Sequence, residues 1–80
     1  MNPKIVKQAV AYASEFSEQN NGRIVVLING QNEITEVRPY LCQTFSYEHF
    51  LNALIINFSD GKKIIDIDSI NSIHCYKQKI

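Results

Sequence analysis

The sequence predicts an α+β domain, with an N-terminal amphipathic helix packed on a strongly bent antiparallel sheet of about five strands. Three observations carry this expectation. Apolar residues recur at helical spacing through residues 2–20. β-Branched runs then meet the dipeptides Asn29-Gly30 and Asp60-Gly61, both strong hairpin signals. The C-terminal half alternates isoleucine with polar residues at strand period.

The helix is the clearest element. Asn2 is a good N-cap, and Pro3 falls at the first helical position, where its missing N–H costs nothing. Ile5, Val6, Ala9, Val10, Ala13 and Phe16 form one apolar stripe. Asn20-Asn21-Gly22 is a stop signal, with Gly22 suited to positive φ. Arg23–Ile28 reads as a strand buried on both faces. A type I′ turn at Asn29-Gly30 would return the chain through residues 33–38. That return strand is more polar and ends at Pro39, which suits a sheet edge.

Residues 40–52 read two ways. Tyr47, Phe50, Leu51 and Leu54 fall at i, i+3, i+4 and i+7, which favours a short helix over 46–52 capped by Ser46. The same letters fit a loop running into a strand. With Asp60-Gly61 as a two-residue turn, Ile56 faces Ile65 and Leu54 faces Ile67, so these four converge on one face. Lys62 and Lys63 then sit at the wet tip, and Asn57, Asp66 and Asp68 take the other face with Ile55 and Ile64. Ser69–Asn71 reads as a short turn and residues 72–77 as the last strand, with Ile73 and Cys75 on one side, His74 and Tyr76 on the other.

Eighty residues are one domain, 1–80, and a chain this short buries only about 60% of its extended surface, so a partner subunit would help it. An apolar fraction of 45% excludes a disordered chain. No apolar run reaches the roughly 20 residues of a membrane span, and the N-terminus lacks a signal peptide's apolar core. The expected compartment is the cytoplasm, with Cys42 and Cys75 as buried thiols rather than a bridge. Formal charge is zero, so no global basic excess points to nucleic acid.

Catalytic and metal chemistry find little support. Asp66-Ile67-Asp68 places two carboxylates on one strand face, but a hard cation wants more oxygen ligands than that. His74 and Cys75 are adjacent in a strand and point apart, so they do not share an ion. Cys42 and His49 are the only local nucleophile–base pair, and no phosphate-loop, nucleotide-binding or hydrolase motif accompanies them. No cofactor or metal is expected, nor an enzyme.

Aromatics concentrate in one segment: Tyr40, Phe45, Tyr47 and Phe50, with His49 among them. Exposed rings of this kind anchor protein interfaces and also stack on unpaired bases. The expected function is a non-catalytic protein-binding module: a small adaptor, subunit or inhibitor, such as a phage or mobile element encodes against a host enzyme. Its binding residues would be Tyr40, Phe45, Tyr47, His49 and Phe50. The alternative is a small domain binding RNA or single-stranded DNA through those rings plus Lys62, Lys63, Lys77 and Lys79. The edge strand at residues 33–38 offers backbone groups for a homodimer.

The order helix, strand, Asn-Gly, strand, hairpin, short turn and final strand resembles the Sm-like family. "IVVLINGQNEI" is similar to that family's first signature, and "DIDSINSI" stands where its second lies. The resemblance implies a small bent barrel. It extends less to RNA binding: Ile34-Thr35-Glu36-Val37 has no glycine, Pro39-Tyr40 replaces the family's aromatic–aspartate pair, and acidic and apolar residues stand where a bacterial member has the Lys-His pair that grips uridine.

Overall fold

In a computed structural model, which describes residues 1–79, the chain is one helix and six antiparallel strands in two three-stranded sheets, in place of the single sheet of about five strands expected. Ile80, the last residue of the expected domain, lies outside the described residues. Helix α1 spans Pro3–Gln19. Strands β1 (Ile24–Gly30), β2 (Ile34–Val37) and β6 (Ile70–Lys77) form one sheet in the order β2-β1-β6. Strands β3 (Thr44–Glu48), β4 (Ala53–Phe58) and β5 (Gly61–Asp66) form the other in chain order. No described helix is long and apolar enough to cross a membrane.

The helix begins and ends where its caps dictate. The Asn2 side chain accepts from the Lys4 N–H at 2.7 Å, and Gly22 takes φ 77° just beyond the last turn. Val6 and Ala13 are buried, while Ala9, Val10 and Phe16 are half-buried. Ile5, expected on the same stripe, is exposed. The Met1 ammonium donates to the Ile67 carbonyl at 2.6 Å, fixing the helix start against the β5–β6 connection.

β1 is central to its sheet, which is why an almost unbroken apolar run was needed: Ile24, Val26 and Ile28 enter the core and Val25 is buried on the opposite side. β2 is an edge strand, as its polarity and Pro39 predict. The turn differs from expectation. Asn29 and Gly30 remain in β1, neither has positive φ, and Gln31-Asn32 make the reversal, closed by the Gly30 N–H donating to Glu33 at 2.9 Å. Gly30 is needed for close approach instead: a Cβ there would lie 3.1 Å from the Glu33 carbonyl oxygen.

Two further corrections concern the second sheet. Residues 46–52 are not helical: Thr44–Glu48 pair with β4, and alternation sends Phe45 and Tyr47 inward opposite Ile56 and Leu54. Ser46 is therefore a strand residue and caps nothing. The β4–β5 turn is Ser59-Asp60, so Leu54 faces Ile65 and Ile56 faces Lys63. The register is shifted by two residues from the expected one, which leaves the paired side chains of β4 and β5 on their expected faces. Leu54, Ile56, Ile65 and Ile67 all join the core beneath α1. Lys63 leaves the tip and reaches Glu33 of the β1–β2 turn at 2.9 Å. Asp68 is not in a strand: Ile67–Ser69 form a 3₁₀ turn whose N-cap is Asp66, its carboxylate accepting from the Asp68 N–H at 3.0 Å.

A second 3₁₀ turn, Pro39–Leu41, links the sheets and ends at Cys42 in the left-handed region, φ 62°. A side chain is strained there, and Cys42 is exposed, so Cys42→Gly should stabilise the fold by about 1 kcal/mol in thermal denaturation.

Candidate partner-binding surface

The β3–β4 hairpin is built by strand parity. With Phe45 and Tyr47 committed to the inner face, the register that pairs Glu48 with Ala53 leaves His49-Phe50-Leu51-Asn52 as the connection. Phe50 and Leu51 then have no core within reach, and they stand 93% and 58% exposed.

The connection is tied down on all sides. The Asn52 N–H donates to the His49 carbonyl at 3.2 Å, and Asn52 holds φ 50°, which asparagine tolerates better than most residues. The Phe50 N–H donates to the Glu48 carboxylate at 3.2 Å. The Tyr47 hydroxyl donates to Asn52 Oδ1 at 2.9 Å. The Asn52 carbonyl accepts from the Ile67 N–H at 3.2 Å, anchoring the turn to the next connection. His49 meets the Phe50 ring edge-on, with centroids 5.7 Å apart. Lys7 Nζ lies 5.6 Å from the Tyr47 ring centroid, linking α1 to the base of the hairpin. The result is an apolar ring held out in solvent by a braced turn.

The five aromatic-segment residues thus divide into three places. His49 and Phe50 share the hairpin tip. Phe45 and Tyr47 are half-buried against the core. Tyr40 sits in the Pro39–Leu41 turn, its hydroxyl donating to Gln78 at 3.3 Å near the start of β1. Asn52 approaches Ile67, close to the far end of β1, so Tyr40 and Phe50 mark opposite ends of the domain. The helical reading places Tyr47, Phe50 and Leu51 on a buried face; Tyr47 alone of the three packs against the core, and Phe50 and Leu51 are exposed. The signal for the tip was the strict alternation Thr-Phe-Ser-Tyr-Glu running up to an asparagine.

The lysines also separate. Lys63 is bound to Glu33 beside Gly30, whereas Lys77 lies opposite Ile24. Those two ends of β1 are about 20 Å apart by strand rise. Lys62 goes with Lys63 on β5, and Lys79 follows Lys77. All but Lys63 are exposed.

Reactive groups do not converge. Cys42 and His49 flank β3 at its two ends. Among the described residues, no group of three His, Cys, Asp or Glu side chains is placed to hold a metal ion. A hollow of about 200 Å³ at the rim between the sheets is lined by Gly30, Glu33, Thr35 and Ser69 among others, and its one carboxylate is already paired with Lys63. Both cysteines are free, but Cys42 is exposed rather than buried as expected and Cys75 is half-buried, and burial pushes the Cys75 thiol up. Iodoacetamide at pH 8 should therefore modify Cys42 well before Cys75, and mass spectrometry of the folded and unfolded chain would check it.

Comparison with protein families, curated proteins and solved structures found no match for this chain.

Proposed function

We propose that the chain is a non-catalytic protein-binding module that docks the His49–Asn52 turn, with Phe50 as anchor, into an apolar recess of a partner protein. The exposure of Phe50 on a fully braced turn carries this reading. Phe50 contributes little to the fold from that position, whereas burying a phenylalanine side chain in a partner is worth about 1.5–3 kcal/mol. The turn is already ordered, so little conformational entropy opposes that gain. Leu51 beside it widens the apolar contact, and His49 braces the ring. Adaptor, subunit or inhibitor of a larger protein are the roles this anchor suits, in the cytoplasm, where free Cys42 and Cys75 would remain reduced.

The same reading takes the domain as a small barrel of the Sm or SH3-like kind. What supports it is β1 pairing with both β2 and β6, the β3-β4-β5 meander, and the 3₁₀ turn leading into the last strand. Nucleic-acid binding is the weaker alternative, because the lysines lie at opposite ends and Lys63 is neutralised by Glu33. Affinity capture from an extract of the native host, with wild type and Phe50→Ala in parallel, tests the proposal. Proteins held by wild type should be lost with the variant, and equal recovery would sink the anchor.

A further inference from the structure

We propose that β6 is a self-association edge: two copies of the chain pair antiparallel through Ile70–Lys77 about a two-fold axis at His74, joining two sheets into one of order β2-β1-β6-β6-β1-β2. The inference is independent of the Phe50 turn.

The hydrogen-bond phase of the sheet carries it. The Gln78 N–H donates to the Arg23 carbonyl at 2.9 Å, and β6 runs antiparallel to β1 with Ile24 opposite Lys77 and Ile28 opposite Ile73. In an antiparallel pair, alternate residues bond to the neighbour. Ser72, His74, Tyr76 and Gln78 therefore spend their backbone groups on β1, while Ile73, Cys75 and Lys77 aim theirs away from it; Asn71 is the extra residue of a bulge, since Asn29 pairs with Ser72 and Gly30 with Ile70. None of the turn, cap or side-chain hydrogen bonds among the described residues uses the backbone of Ile73, Cys75 or Lys77. β6 ends its sheet, so no strand of this chain covers them.

The other edges are shorter or closed. On β2 only Ile34 and Glu36 are open, because the Arg38 N–H donates to Gln43 Oε1 at 2.8 Å and its carbonyl accepts from Leu41 at 2.9 Å. The homodimer edge expected at residues 33–38 is thus blocked at one end, and the proposal moves it to β6. On β5 the same phase leaves Lys62 and Ile64, since the Asp66 carbonyl is taken by the Ser69 hydroxyl at 2.7 Å. On β3 the open positions are Phe45 and Tyr47, whose side chains pack against the core.

β6 is complementary to itself in one register. With Ile73 opposite the second copy's Cys75, and Cys75 opposite its Ile73, two hydrogen-bonded pairs flank the axis, and Lys77 falls opposite the bulged Asn71. Apolar side chains then meet apolar ones on the inner face, and no two lysines are opposed. On the outer face His74 meets the second copy's His74, and Tyr76 meets its Ser72, within reach for cross-strand contact. Sliding by two residues toward the C-terminus sets Ile73 against Lys77, an apolar side chain against a charge. From Ser72 onward this edge carries neither proline nor bulge, so it is a template for strand addition, and the strand that fits it is its own copy.

Sedimentation of the full chain, with cysteine cross-linking, tests the proposal. Wild type should shift with concentration from the mass of one chain to two, and Phe50→Ala should do the same. Cys75→Pro should abolish the shift, because the N–H it removes points away from β1. In a Cys42→Ser/Cys75→Ala background, oxidation should convert His74→Cys to a disulfide-linked dimer, since the two positions face each other in a non-hydrogen-bonded pair. Glu36→Cys, on β2, should stay single. If Cys75→Pro fails to fold, the His74→Cys and Glu36→Cys pair decides. A single-chain mass at every concentration, a dimer cross-linked through Glu36→Cys but not His74→Cys, or capture of an extended peptide by a wild type that never dimerises would overturn the proposal.

Discussion

Leu54→Ala should lower the unfolding free energy by about 2–5 kcal/mol, the range for truncating a leucine in a packed core. Leu54 is fully buried, with Tyr47 and Ile65 opposite it on the two flanking strands, and it belongs to the cluster that α1 covers. For a domain of 80 residues the whole stability is about 4–12 kcal/mol, so the loss removes a large share of it. In urea the midpoint should fall with little change in slope. Ile64→Ala is the matched control. Ile64 is adjacent to Ile65 but points to the other face and is 63% exposed, so its truncation should cost less than about 0.5 kcal/mol. Reversed effects would mean that the parity of the β4–β5 hairpin is wrong.

Phe50→Ala should do the opposite: leave stability within about 0.5 kcal/mol of wild type, yet weaken partner binding by about 2–4 kcal/mol, the size of a central hot-spot residue. The stability half follows from 93% exposure. The binding half follows from pre-organisation, because Glu48, Asn52 and Tyr47 already hold the backbone that presents the ring. Asn52→Ala separates the two contributions. It removes both the acceptor for the Tyr47 hydroxyl and a residue tolerant of φ 50°, so it should loosen the turn and weaken binding while leaving the Phe50 side chain in place. Thermal melts beside affinity measurements on the captured partner would check all three variants.

Much of the fold was legible because local chemistry and burial agree. Asn2-Pro3 starts the helix and Asn20-Asn21-Gly22 ends it, each through an identifiable backbone hydrogen bond or dihedral. The C-terminal faces were legible through parity, which survives a two-residue slip. Turn positions were less so. Asn29-Gly30 has the letters of a type I′ turn, but β1 also has to pair with β6 up to Gly30, and Asn29 donates to the Ser72 hydroxyl at 2.8 Å. That tertiary pairing outweighs the local preference and moves the reversal to Gln31-Asn32. Similarly, Gly61 closes the pair with Phe58, and the turn falls on Ser59-Asp60.

The aromatic segment departs from expectation for a different reason. Tyr47, Phe50, Leu51 and Leu54 happen to satisfy helical spacing, yet Thr44–Glu48 also alternates, and only the presence of β4 as a neighbour decides between the periods. Once that choice is made, the segment's role changes: two rings go to the core, one to a distant turn, and Phe50 is left in solvent. Of the five candidate residues only His49 and Phe50 lie at the hairpin turn, and Leu51 and Asn52 beside them are not among the five, since the turn's geometry depends on strand pairing across the whole hairpin.

The most direct test of the binding account is the salt dependence of paired capture from native host extract, comparing wild type, Phe50→Ala and a Lys62→Ala/Lys63→Ala/Lys77→Ala/Lys79→Ala variant. The account predicts that wild type and the lysine variant retain the same protein at low and high salt, and that Phe50→Ala loses it at both. Retention by Phe50→Ala, or wild-type recovery that collapses as salt rises and fails in the lysine variant, would contradict it.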